Sequence, residues 1–181
     1  MKLSGHDVFL VKYNSSGTKQ WTKQLGTSST DDANAITVDS SDNIYVTGYT
    51  EGSLEGSSAG MRDVFLVKYN SSGTKQWTKQ LGTSSADEAN AITVDSSDNI
   101  YVTGYTEGSL EGSSAGMRDV FLVKYNSSGT KQWTKQLGTS SADEANAITV
   151  DSSDNIYVTG YTEGSLEGSS AGMRDVFLVK Y

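Results

Sequence analysis

Cysteine and proline are both absent from this 181-residue chain, and histidine occurs once, at His6. Without cysteine there is no disulfide frame and no thiolate site, and either redox compartment is compatible. A lone histidine near the start leaves no Ser-His-Asp or Cys-His arrangement held within a fold. It also leaves no His/Cys cluster for a metal. No run of 18 apolar residues exists, so no apolar helix spans a membrane. Basic charge is in short supply: 14 Lys and Arg stand against 22 Asp and Glu, a formal net charge of −8. Phosphate-backbone binding needs clustered Lys and Arg, so a nucleic-acid partner is disfavoured. The opening MKLSGHDVF has no apolar h-region. That implies either cytoplasmic synthesis or a leader outside this sequence, and localisation stays open.

What the chain does have is a period of 56 residues. Asp7, Asp63, Asp119 and Asp175 each open the run DVFLVKY. Residues 63–118 and 119–174 are identical, and 7–62 differ from them only at Thr30 (for Ala86) and Asp32 (for Glu88). A fourth copy stops at Tyr181. Residues 1–6 read as leader or cloning residues, and 7–181 as one domain. A period of this length marks an array whose units cannot bury their apolar faces alone.

Each copy carries four short runs of strand character and no helical apolar period, so the chain reads as all-β. In DVFLVKY (7–13), Val8, Leu10 and Lys12 point one way and Phe9, Val11 and Tyr13 the other. Apolar groups on both faces mean a strand covered on both sides. NSSG (14–17) is a hairpin turn with Gly17 free for positive φ. TKQWTKQL (18–25) has exposed lysines suited to an edge. NAITVD (34–39) is small and apolar. NIYVTGYT (43–50) sets Tyr45 and Tyr49 on one face. Four antiparallel strands, small at one side and polar at the other, describe a propeller blade. The order from centre to rim is NAITVD, NIYVTGYT, DVFLVKY, TKQWTKQL.

The pattern AITVDSSDNIYVTGYT…DVFLVKYNSSGTKQW…LG resembles the bacterial β-propeller repeat family called SBBP. Its VDSSDNIYV hairpin is similar, more loosely, to NHL-type blades. The resemblance covers everything after His6 and implies a propeller fold, with secreted or surface bacterial relatives of poorly defined role. Drift normally separates repeats, so near-identical copies point to very recent amplification or, preferably, deliberate design.

The phase of the array is its second message. Labelling strands A to D from the centre, the chain runs C-D, A-B-C-D, A-B-C-D, A-B-C. Blades 34–81 and 90–137 are complete. The third, 146–181, lacks a D strand, which only 18–25 at the other end of a chain can supply. Three blades cannot easily close, since propellers use about four to eight. An open arc would expose two apolar end faces. A cyclic head-to-tail homodimer of six blades is therefore expected, with a homotrimer of nine second. One DVFLVKY copy is then surplus. The expectation is that 7–25, arriving as a hairpin, takes positions C and D and that 175–181 is displaced.

Candidate chemistry is thin. The recurring DSSDN (39–43, 95–99, 151–155) can hold calcium in principle, but an Asx turn satisfied by its own backbone accounts for it. The loop face gathers Asp31, Asp32, Glu51 and Glu55 against Arg62. Adjacent acids such as Asp87-Glu88 and Asp143-Glu144 do not straddle a cleft as a glycosidase pair does. The Asn14-Ser15-Ser16 pattern, repeated at 70 and 126, matches a glycosylation acceptor, but the turn explains it. Trp21, Trp77 and Trp133 are expected to pack between blades rather than to stack on sugars. No catalytic residue, cofactor or metal ligand is assigned. The reading is a structural, non-enzymatic protein whose function is self-assembly. The alternative is a binding module with one weak carbohydrate or cation site per blade on the acidic face.

Overall fold

The computed structural model describes residues 5–181, as thirteen strands and no helix. β1 (Val8–Tyr13) and β2 (Lys19–Leu25) form a two-stranded unit. β3 (Asp31–Val38), β4 (Ile44–Thr50), β5 (Asp63–Tyr69) and β6 (Lys75–Leu81) make the first full blade, in that order. β7 (Asp87–Val94), β8 (Ile100–Thr106), β9 (Asp119–Tyr125) and β10 (Lys131–Leu137) make the second. β11 (Asp143–Val150), β12 (Ile156–Thr162) and β13 (Asp175–Lys180) make a third blade of three strands. Every strand pairing within a sheet is antiparallel, with register such as Val46↔Val67 in the first blade and Val102↔Val123 in the second. The all-β, four-strand blade and the strand phase read from the sequence are both present.

The inner strand begins three residues before the expected Asn34. In each copy the ladder slips between Ala33 and Ala35, or their equivalents, so Asn34 stands out as a bulge. A bulge breaks the two-residue alternation that marks a strand, which is why Asp31–Ala33 reads as connection. The bulged residue is used: Asn34 Nδ2 donates to the Ala89 carbonyl of the next blade at 2.9 Å, and Asn90 to that of Ala145 at 3.0 Å.

The two-faced strand places its apolar groups against both neighbours. Val64 and Leu66 pack toward the second blade with Phe121, Val123 and Tyr125. Phe65, Val67 and Tyr69 pack the other way, onto Val8 and Leu10 of the two-stranded unit. Full burial of side chains this size stabilises by roughly 1.5–3 kcal/mol each. The core is thus a series of interfaces between sheets, and no blade owns a core of its own.

The three tryptophans are half-buried, less enclosed than their expected place between blades suggests. They sit on the rim strand, where one ring edge faces solvent. Trp77 packs against Tyr45, with ring centroids 5.9 Å apart, and Trp133 against Tyr101 at 6.0 Å.

Candidate functional site

The DSSDN turns are saturated by their own donors. Asp39 Oδ1 accepts from the backbone N–H of Ser41 and of Asn43, and Oδ2 from Asn43 Nδ2 and Tyr45 Oη, all within 2.9 Å. Burial pushes the Asp39 carboxyl up, but the bonds from Asn43, Tyr45 and Ser41 outweigh it and hold it below its ordinary value. In the third copy the bonds from Asn155, with those from Ser153 and Tyr157, hold Asp151 at about 2. Four donors on two carboxylate oxygens use up the lone pairs a cation would need.

The second acid of the same turn has a role the sequence reading missed. Asp42, Asp98 and Asp154 adopt left-handed backbone, with φ near 60°. That conformation aims Asp98 back at the preceding blade, where its two oxygens accept from Ser40 N–H and Ser40 Oγ, both at 3.0 Å. Ser96 clasps Asp154 in the same way. The signal in the sequence was faint: an Asp before Asn at the tip of a turn, repeated at the period.

On the opposite loop face the acid pairs divide their work. Asp31, Asp87 and Asp143 are fully buried. Asp87 Oδ2 accepts from Thr83 N–H and Thr83 Oγ1, and Oδ1 takes the Thr106 hydroxyl. Burial raises the Asp87 carboxyl above its ordinary value. The first acid of each pair is therefore an internal brace and not part of the acidic surface expected there.

The second acid faces a neighbouring arginine. Arg62 reaches Glu88 in the next blade at 3.1 Å and Glu51 in its own loop at 3.5 Å, and its guanidinium lies over the Tyr49 ring at 4.4 Å. Arg118 repeats this with Glu144, Glu107 and Tyr105. Tyr49 Oη donates to Asp32, a bond that with burial pushes its phenol up to about 12. These carboxylates are thus engaged by arginines and tyrosine hydroxyls of the fold itself, which offset part of their charge. Among the described residues, no group of three or more His, Asp or Glu side chains is placed to hold a metal ion.

His6 stands one period before Arg62. Its carbonyl accepts from Asp31 N–H at 2.8 Å, as that of Arg62 does from Asp87 N–H at 2.9 Å. Its ring Nδ1 lies 3.9 Å from Asp32.

The least satisfied surfaces lie at the two ends of the arc. The two-stranded unit covers only the outer half of the first blade, so Ile36 and Val38 remain 56% and 55% exposed, against 9% for the equivalent Ile92. Phe9 is 74% exposed, whereas Phe65 and Phe121 are fully buried. At the far end Val176 and Leu178 are 85% and 70% exposed, against 2% and 0% for Val120 and Leu122. Each end displays one side of an interface that is complete twice within the chain.

Stacked four-stranded blades with inner strands side by side define a β-propeller module. The SBBP beta-propeller repeat matches the chain three times, over residues 20–55, 76–111 and 132–167, and the chain belongs to that family. It is also similar to an uncharacterized WD repeat-containing protein of Acanthamoeba polyphaga mimivirus, with 26% identity over 80% of this chain. A second similarity is to a regulatory protein, FlaEY, of Caulobacter vibrioides, with 29% identity over 61% of the chain. The chain spans only 13% and 12% of the length of these two relatives.

Proposed function

We propose that this chain is a structural propeller unit, without catalysis, whose function is to assemble with copies of itself into a closed ring. One observation carries the proposal: the two exposed ends are the two halves of a single interface. Tyr157 at one end corresponds to Tyr45, and Ile36 at the other corresponds to Ile92. In the interior these groups meet one another and are buried. Head-to-tail contact between copies covers Ile36 and Tyr157 together, and such a contact closes into a ring if its rotation closes.

Polar groups support the same joint. Ser152 is the third member of the series Ser40, Ser96, and Asp42 is the first of the series Asp42, Asp98, Asp154. Across the joint Ser152 meets Asp42 of a second copy and completes the clasp. Asn146 likewise finds the Ala33 carbonyl of that copy. Two chains give six blades and three give nine, and six lies within the usual range. The engagement of Glu51, Glu88, Glu107 and Glu144 by Arg62 and Arg118 favours assembly over a ligand site there.

Light scattering of the full chain tests the proposal. Twice the 19.3 kDa chain mass is expected, with three times that mass as the other closed form. A monomer at micromolar concentration overturns it.

A further inference from the structure

A ring of this chain has one more DVFLVKY strand than it has places, since β1 and β13 both belong at position C of the third blade. Within one chain each already has a partner: β13 pairs with β12 in the register Val158↔Val179, and β1 pairs with β2. Resting on the ring reading above, we infer that assembly is a strand exchange. The β1–β2 hairpin of one copy displaces β13 of another, and Gln24 of that hairpin takes up the backbone groups of the loop that joins β12 to β13.

While β13 is in place, a cleft of about 560 Å³ separates that loop, at Gly164, Leu166 and Glu167, from Asp175 and the strand that follows. The loop's usual partner is legible from the two complete blades. There Gln80 Oε1 accepts from the backbone N–H of Leu54 and Glu55, and its Nε2 donates to the Gly52 carbonyl and to Asp63. Gln136 makes the same four bonds in the second blade. In the third blade the equivalent backbone groups belong to Leu166, Glu167 and Gly164, and among residues 5–181 no rim strand follows β13 to supply the glutamine. Among the described residues, Gln24 is the copy of that glutamine with no such loop ahead of it. It bonds Asp7 of its own hairpin and so brings the fourth partner with it.

Two further vacancies name the same hairpin. Lys12 Nζ donates to the Ser71 carbonyl and Lys68 Nζ to that of Ser127, which leaves Lys124 to reach Ser15 of a second copy. Trp21 lies over Gly73 and Trp77 over Gly129, whereas Gly17 has nothing near the place a Cβ would take. Trp133 is the tryptophan left to cover it.

The direction of exchange follows from what each strand would lose. β13 is held by one ladder and one buried face, and its replacement has the same sequence, so the β12 ladder is exchanged like for like. The hairpin is already docked on its own first blade, with Val8 and Leu10 buried there. Keeping β13 would require undoing that docking. The only two departures from the repeat within 7–62 are Thr30 and Asp32, and Asp32 faces His6 where the later copies set a glutamate against an arginine. The shorter acid matches the shorter base that precedes β1, and not Arg174, which precedes β13.

Two cysteine pairs in the full, otherwise cysteine-free chain test the exchange. Val11→Cys with Val158→Cys should give an interchain disulfide in most chains of the ring. Val158→Cys with Val179→Cys should give an intrachain bond in fewer than about one chain in ten. As a second variant, a chain lacking 175–181 should form the same ring. A ring that carries the 158–179 bond, or that dissolves without 175–181, overturns the exchange and leaves the ring reading standing. A monomer overturns both.

Discussion

The Trp77 indole lies over Gly129 of the next blade, so closely that a Cβ there would fall 3.1 Å from its Cδ2 and Cε2 atoms. Gly129 has φ of 80°, in the left-handed region. The glycine that turns the hairpin is therefore also the floor on which the neighbouring tryptophan rests. Gly112 has a similar φ of 72° with nothing near its Cβ position. Gly112→Ala should cost about 1 kcal/mol, the strain of left-handed backbone alone. Gly129→Ala should cost about 2 kcal/mol or more, because the ring must also move. Urea unfolding of the two variants reads the difference directly, and equal losses would remove the tryptophan contact from the account.

Trp77→Ala should destabilise the chain by about 2 kcal/mol. That is below the ~3–5 kcal/mol of an enclosed aromatic, because the rim leaves part of the ring in water. The Tyr45 contact on one side and the Gly129 floor on the other should both loosen. A loss under about 0.5 kcal/mol, the size of ordinary surface changes, would contradict this packing.

Ser40 and Asp98 should be energetically coupled although they are a full repeat apart. A double-mutant cycle with Ser40→Ala and Asp98→Asn should return about 0.5–1 kcal/mol, since the bonds are charge-assisted but exposed. The pair Ser96 and Asp154 should give the same value. Additive single losses would show that the clasp contributes nothing.

The chain should lose stability in acid, below about pH 4. Asp39, Asp95 and Asp151 sit below the ordinary carboxylate value of 3.8 in the fold, Asp151 at about 2. Their contribution is fully present above the unfolded value and disappears as pH falls through the folded values. Asp87 has the opposite sign: its value is raised in the fold, so its charged form is a cost that protonation relieves. The three turn aspartates outnumber it, and thermal melting followed between pH 5 and pH 2 should show a net fall. In Asp95→Asn that fall should be smaller.

Much of this protein follows from its sequence alone. The 56-residue period, the two-faced DVFLVKY strand and the Asp/Asn turns specify the blade, because side-chain alternation and turn chemistry are local properties of the chain. The phase of the array, opening and stopping on a DVFLVKY strand, is likewise legible, because counting strands needs no coordinates. Tertiary structure decided the rest. The bulge at Asn34, the clasp of Ser40 on Asp98 and the rest of Trp77 on Gly129 join residues about one period apart. Local sequence carries no record of which neighbour a side chain will meet. Burial of Asp31, with its neighbour Asp32 left at the surface, likewise depends on which oxygen the loop folds over. Two adjacent acids are alike in sequence, and only packing makes one a brace and the other a surface charge.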